Sequence, residues 1–149
     1  MSNTFKALVV EKTNGIAAHQ LRQLTVAELP EGDVLVAVNY SSLNYKDCLA
    51  VFGRGKIVRE YPMIPGVDLT GEVLTSESPD FKPGDKVLLT GWGVGERFWG
   101  GFSQQARLKS EWLISLPEDL DGLQAMAIGS AGLTAMLCVM ALEDQGGTP

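Results

Sequence analysis

Asn44, Tyr45 and Asp47 are the residues best placed to do chemistry: an amide, a phenol and a carboxylate follow directly on the apolar run Val34-Leu35-Val36-Ala37-Val38. They fall where a buried strand gives way to a short helix expected over 45–51. Asn44 has two readings, as a polar group of a site or as the N-cap of that helix, a role its side-chain oxygen performs well. Tyr45 is either a site phenol or a packed core tyrosine. Asp47 can orient a water or Lys46, or it can stabilise the positive end of the helix. Basic residues gather once, at Arg54, Lys56 and Arg59. They form either a solvated loop or a landing site for the phosphates of a substrate.

Other chemistries are poorly supplied. A dinucleotide-binding turn needs Gly-x-Gly-x-x-Gly between a strand and a helix, so that backbone amides can approach a pyrophosphate. Gly91-Trp92-Gly93-Val94-Gly95 comes near, but Glu96 stands where the third glycine would fall. An acidic residue beside bulky Trp92, Phe98 and Trp99 makes a poor phosphate cradle, so the loop is expected to be structural or to cover a substrate. Cys48 and Cys138 are too few and too far apart for a zinc ribbon or a redox pair, and their apolar neighbours suggest buried, reduced thiols. His19 is the one histidine, has no ligand partners, and is read as a turn residue.

The chain of 149 residues is long enough for one domain with a proper core. With 45% hydrophobic residues and a mean hydropathy of +0.07, it reads as a globular protein and not as a disordered one. Eighteen acidic against 12 basic residues give a net charge of −6, which argues against a nucleic-acid surface, where clustered cations must displace counterions. No apolar run is read as approaching the roughly 18–20 residues that span a bilayer, so no membrane partner is expected. Met1-Ser2-Asn3-Thr4-Phe5-Lys6 lacks the basic-then-apolar layout of a secretory signal, and the cytosol is the expected location.

Short strands are expected at 5–11, 21–27, 34–40, 68–74, 86–90, 102–108 and 112–115. The run from Val34 to Val38 should be covered on both faces. Turn signals such as Pro30-Glu31-Gly32-Asp33 and Lys82-Pro83-Gly84-Asp85 separate these pieces and favour antiparallel meanders closing into a small, partly open barrel. Gly66, Gly71 and Gly84 are assigned to tight backbone geometry. After Pro117 the pattern turns helical. Leu133, Met136, Leu137, Met140 and Ala141 form a stripe widened by Val139 and Leu142, so the helix should be buried on more than one side, and Gly146-Gly147 should end it.

Three ordered motifs carry a resemblance. Ser42-Leu43-Asn44-Tyr45-Lys46-Asp47 is followed by Ile64-Pro65-Gly66-Val67-Asp68-Leu69-Thr70-Gly71-Glu72-Val73, and then by Phe81-Lys82-Pro83-Gly84-Asp85-Lys86-Val87-Leu88. Together they resemble the catalytic half of the medium-chain dehydrogenase/reductase superfamily. Leu89-Thr90-Gly91-Trp92-Gly93-Val94-Gly95 and Gly129-Ser130-Ala131-Gly132-Leu133-Thr134-Ala135-Met136-Leu137 look closest to its NADPH-dependent acrylyl-CoA reductase / quinone oxidoreductase-like group. In the zinc branch of that superfamily a cysteine stands at Asn44, a histidine at Val67 and a glutamate at Asp68. An amide and an isopropyl group cannot replace thiolate and imidazole, so no metal is expected. Asp68 is expected instead to hydrogen-bond Asn44 or backbone amides and shape the site.

The resemblance implies a mainly β fold, a small, partly open GroES-like barrel with short helices. A C-terminal helix would lead into a Rossmann domain lying beyond this chain, since chains of the family are about twice as long. Residues 1–120 would be the GroES-like catalytic domain, and 121–149 linker helices at the start of the nucleotide-binding domain. The implied activity is zinc-independent, NADPH-dependent reduction of the C=C bond of an α,β-unsaturated carbonyl such as acrylyl-CoA, with this chain alone inactive. The alternatives are an NADPH quinone reductase and a non-catalytic barrel acting as an interaction module through its C-terminal helix. Tyr45 would reach NADPH, while Tyr45, the Asn44 amide and backbone N–H groups would stabilise the developing enolate. Arg54, Lys56, Arg59 and Trp92 are the substrate-binding candidates, with the aromatics walling the pocket where nicotinamide and enoyl group meet. The implied partners are a small-molecule enoyl-CoA or quinone and, for the full-length parent, a second copy in a homodimer.

Overall fold

The computed structural model describes residues 4–146. The N-terminal reading over Met1, Ser2 and Asn3 and the helix stop at Gly147 lie outside the described residues. Alternating apolar residues first build a hairpin, β1 (Thr4–Thr13) and β2 (Ile16–Thr25), with Val10 opposite His19. A five-stranded antiparallel sheet follows, from β3 (Val34–Tyr40), β4 (Asp68–Ser76), β5 (Lys86–Thr90), β6 (Gln105–Leu108) and β7 (Ile114–Ser115), in the order β6-β3-β4-β5-β7. Between β3 and β4 lies α1 (Tyr45–Val51), and the chain closes with α2 (Gly122–Asp144). The hairpin is stitched to the rest by Leu8 N–H to Phe102 O at 2.8 Å and Val10 N–H to Met63 O at 2.7 Å. Two sheets so joined make a partly open barrel, as expected.

β3 is covered on both faces. Val34 and Val36 lie in one core with Leu69, Val73, Val87 and Leu89, while Leu35 packs against a second core around Phe5, Val9 and Ile64. The strand bulges between Val38 and Tyr40 opposite β4, and there a Cβ on Gly71 would stand 2.0 Å from the Ala37 carbonyl oxygen. Only glycine permits that approach of two backbones.

Several boundaries differ from the sequence reading for local reasons. β2 starts at Ile16, which pairs with Thr13 across the hairpin turn, and stops at Thr25, where the Glu28 carboxylate accepts the Thr25 N–H at 2.7 Å and a 3₁₀ turn opens over Val26–Glu28. His19 is therefore a strand residue, edge-on to Phe52 with ring centroids 5.5 Å apart. β6 begins at Gln105, not Phe102, since Phe102 N–H is spent on Pro65 O. Trp112 ends a 3₁₀ turn, and only Ile114–Ser115 pair with β5. Neither cysteine is buried: Cys48 is half-buried and Cys138 exposed. α1 spans the expected 45–51.

The largest departure is α2. It has 23 residues and a mean hydropathy of 1.9 over its most apolar 18, long and apolar enough to cross a bilayer, which overturns the reading that no run approaches that length. Gln124, Ser130 and Thr134 interrupt the run and hid its length. Ala125 and Met126 are buried in the body of the protein, but from Leu133 to Gly146 every residue is exposed. Within this chain the expected burial of the stripe does not occur.

α2 is two helical pieces joined at Gly129, whose backbone sits at φ 49° and ψ −162°. Any side chain is strained there, and a Cβ would also meet Asp68 Oδ2 at 2.9 Å.

Candidate active-site cleft

A cleft of about 540 Å³ opens where the start of α1 meets the kink of α2. Its walls include Asn44, Tyr45 and Lys46 from the start of α1, Val67 just before β4, and Glu96 from the loop after β5. Ser130 and Thr134 complete it from α2. Sequence positions spread over ninety residues converge because the end of β3 lies beside the start of β4, with Tyr40 opposite Thr70.

Asp47 builds the floor. Its side chain is 1% exposed, and it accepts backbone N–H groups from Gly66 and Val67 at 3.1 Å each and from Asn44 at 2.8 Å. Burial pushes its carboxyl above the ordinary range, against the three amides that favour the charged form. A carboxylate whose oxygens are so occupied holds the Gly66–Val67 turn against α1. That is a positioning role, and the bond accepted from the Asn44 N–H favours the reading of Asp47 as a stabiliser of the start of α1.

Asp68 is fully buried and gathers four hydrogen bonds. Ser42 Oγ and Asn44 Nδ2 (3.1 Å) reach it from the α1 side. From α2, Ser130 donates both its backbone N–H (2.9 Å) and its hydroxyl. The expected bond between Asp68 and Asn44 is present. It also fixes the orientation of Asn44, because a carboxylate only accepts, so the NH₂ end must face it. The second amide hydrogen goes to Ser42 Oγ at 2.8 Å. Both donors of Asn44 are engaged, and the enolate-stabilising donor expected of this amide is not available in this geometry.

Tyr45 is 80% exposed, and its hydroxyl makes no hydrogen bond among the described residues. It is not a packed core tyrosine. Beside it, Lys46 Nζ lies 2.8 Å from Glu96 Oε1 across the cleft mouth. An exposed pair of this kind adds only about 0–1 kcal/mol to stability, so its weight is in the local charge. The Glu96 backbone oxygen also accepts the Arg59 N–H at 2.8 Å, tying the basic loop to the rim.

The remaining candidates lie elsewhere. Arg54, Lys56 and Arg59 are exposed, form no ion pair among the described residues, and do not line the cleft. Trp92, 58% exposed at φ 56°, is outside it too. The expected aromatic wall is not formed: Phe98 packs on Trp112 with ring centroids 4.7 Å apart, and Trp99 Nε1 donates to Pro62 O. Val94 plugs the core, which gives the glycine loop a structural role, while Gly91 and Glu96 on either side of it line the cleft. Sequence reasoning missed Ser42, Ser130 and the Lys46–Glu96 pair. Gly129-Ser130 inside an apolar helical run was the one available signal.

No group of three His, Cys, Asp or Glu side chains able to hold a metal occurs among the described residues. The residues at the cleft are an amide, an isopropyl group and a carboxylate already taking four hydrogen bonds, a set that does not fit zinc.

Known proteins resemble this chain in sequence and in fold. The chain is 57% identical over 144 residues to the probable acrylyl-CoA reductase AcuI of Escherichia coli, covering 97% of this chain and 44% of that protein. It is 42% identical over its whole length to the putative quinone oxidoreductase YhfP of Bacillus subtilis, covering 45% of it. The crystal structure of the yhdH oxidoreductase from Salmonella enterica in complex with NADP superposes with a TM-score of 0.92 at 55% identity, over 95% of this chain and 44% of that one. The chain thus spans less than half the length of these relatives. The sequence pattern of the alcohol dehydrogenase GroES-like domain matches residues 30–118, and the chain belongs to that family.

Proposed function

We propose that this chain forms the substrate-side half of an NADPH-dependent reductase acting on the C=C bond of an α,β-unsaturated carbonyl, such as acrylyl-CoA. The observation that carries the reading is the Tyr45 hydroxyl, a donor with no partner among the described residues, standing in a cleft where both amide hydrogens of Asn44 are engaged. NADPH would supply a hydride to the β-carbon of the substrate. Tyr45 would donate a hydrogen bond to the carbonyl oxygen, where negative charge grows as the β-carbon is reduced. Asn44, held by Asp68 and Ser42, would present its oxygen as an acceptor. The α-carbon then takes a proton, from Tyr45 or from water.

The cleft has room for a nicotinamide ring beside a small enone. No Gly-x-Gly-x-x-Gly turn occurs in the sequence, so these residues would hold only the nicotinamide end of the cofactor. The similarity to AcuI and to a NADP complex supports this reading. We place the boundary of the catalytic domain after Leu120, with α2 as the lead into a nucleotide-binding half.

Quinone reduction is the second reading, favoured by the YhfP relative. Steady-state kinetics of the full-length protein with NADPH and either acrylyl-CoA or benzoquinone decide between them. Turnover of neither substrate would remove both readings.

A further inference from the structure

The charges around the cleft are unbalanced. Lys46 is the one cation among the residues lining it, and its ammonium is already paired with Glu96 at 2.8 Å. Directly behind the lining lie two fully buried carboxylates, Asp47 and Asp68. The lining therefore holds one ammonium and one carboxylate, with two further carboxylates bonded to it from behind, and the basic residues of the neighbouring loop do not line the space. Glu96 is held in place from two sides. Its N–H donates to Gly93 O at 3.2 Å, and its carbonyl accepts from Arg59. The pair is thus anchored at both ends, on α1 and on the glycine loop.

We propose that the Lys46–Glu96 pair sets the specificity of the cleft: it admits an unsaturated carbonyl compound whose reacting end is neutral and rejects the free unsaturated carboxylate. The inference rests on the reductase reading and adds a rule of selection to it. A thioester, amide, ketone or quinone meets the cleft without a net charge. An acid must displace Glu96 from Lys46 and then sit in the field of three carboxylates. An alkene conjugated to a carboxylate is also a poorer hydride acceptor than one conjugated to a neutral carbonyl, so rejecting it keeps the cleft free for the reactive form.

Acrylamide and acrylate are near-isosteres that differ in this charge. Both are titrated into the chain and followed at the Asn44 side-chain amide by NMR. The wild-type chain should respond to acrylamide at concentrations about tenfold lower than to acrylate. Glu96→Gln should shrink that ratio by strengthening acrylate, and Lys46→Gln should widen it. A purely structural role for the pair would move both variants the same way. An equal response to the two compounds in the wild type, including none to either, overturns the proposal, as does an unchanged ratio in both variants. NADPH-dependent turnover of a neutral enone by the full-length protein is measured separately, so a failed reductase reading is distinguished from a failed filter.

Discussion

Ser130 donates both its backbone N–H and its hydroxyl to the buried carboxylate of Asp68, 62 positions earlier in the chain. That double bond of contacts holds the kink of α2 against the start of β4, and the same carboxylate fixes the amide of Asn44. Asp68→Asn preserves shape but turns an NH₂ toward groups that are themselves donors. A lost buried hydrogen bond costs roughly 1–3 kcal/mol, so the variant should lose about 2–4 kcal/mol in urea unfolding. Amide exchange over residues 130–134 should accelerate with it. Unchanged exchange there would mean that the helix is held by packing alone.

Gly129→Ala tests the same joint from the backbone. The conformation at φ 49° and ψ −162° admits little but glycine, and the added methyl would meet Asp68 Oδ2 and Ser42. Strain of this kind costs of order 1–3 kcal/mol. Thermal unfolding should report that loss, whereas Gly132→Ala, at a helical position, should cost less.

Much of this arrangement was legible beforehand. The bounds of β3 and β5 follow from apolar runs between strong turn residues, α1 begins just after Asn44, its N-cap, and these signals are local. The bond between Asp68 and Asn44 follows from two polar residues forced together where ligands would otherwise stand. Ser130 was not legible as a partner, because no periodicity states which distant carboxylate a helix kink will meet. The loss of Asn44 as a donor was equally hidden, since it depends on Ser42 and Asp68 consuming both amide hydrogens. α2 misled in a different way. Its apolar stripe predicts burial, and the chain offers it no covering surface.

Asp33 contributes a pH dependence whose sign follows from its contacts. Partial burial alone would raise its carboxyl, but the Ser110 hydroxyl and N–H, both at 2.7 Å, hold it below the ordinary range. A group whose folded value is depressed stabilises the fold above its unfolded value, and that stability is lost as pH falls through the folded one. Stability should therefore drop below the ordinary carboxylate range, and Asp33→Asn should flatten this acid limb. Urea midpoints collected from pH 6 downward check the slope, and parallel curves for the two proteins would contradict the assignment.

Tyr45→Phe separates chemistry from packing. The ring is exposed and its hydroxyl has no partner among the described residues, so stability should change by less than about 0.5 kcal/mol. If the phenol donates to the developing negative charge, the full-length protein should lose about 10²-fold in kcat/KM toward an enone. Solvent-exposed tyrosines with no such duty tolerate the change, and unaltered kinetics would reduce Tyr45 to a wall of the cleft.

The two halves of α2 should respond oppositely to substitution. Met126 is 6% exposed and packs into the body of the protein, so Met126→Ala should cost roughly 2–5 kcal/mol. Leu137 and Met140 are 56% and 51% exposed, and truncating them removes little apolar area from any contact within this chain. Leu137→Ala and Met140→Ala should therefore stay within about 0.5 kcal/mol. Beyond Ser130 the helix has only its own hydrogen bonds and the good propensity of Leu, Met and Ala to sustain it. Its amides from 135 onward should exchange by local fraying, far faster than those of 123–130, whose opening should approach global unfolding. Hydrogen exchange on the wild-type chain reads this contrast directly. Uniform protection along the whole helix, together with a large loss for Leu137→Ala, would show that this apolar face is covered in solution.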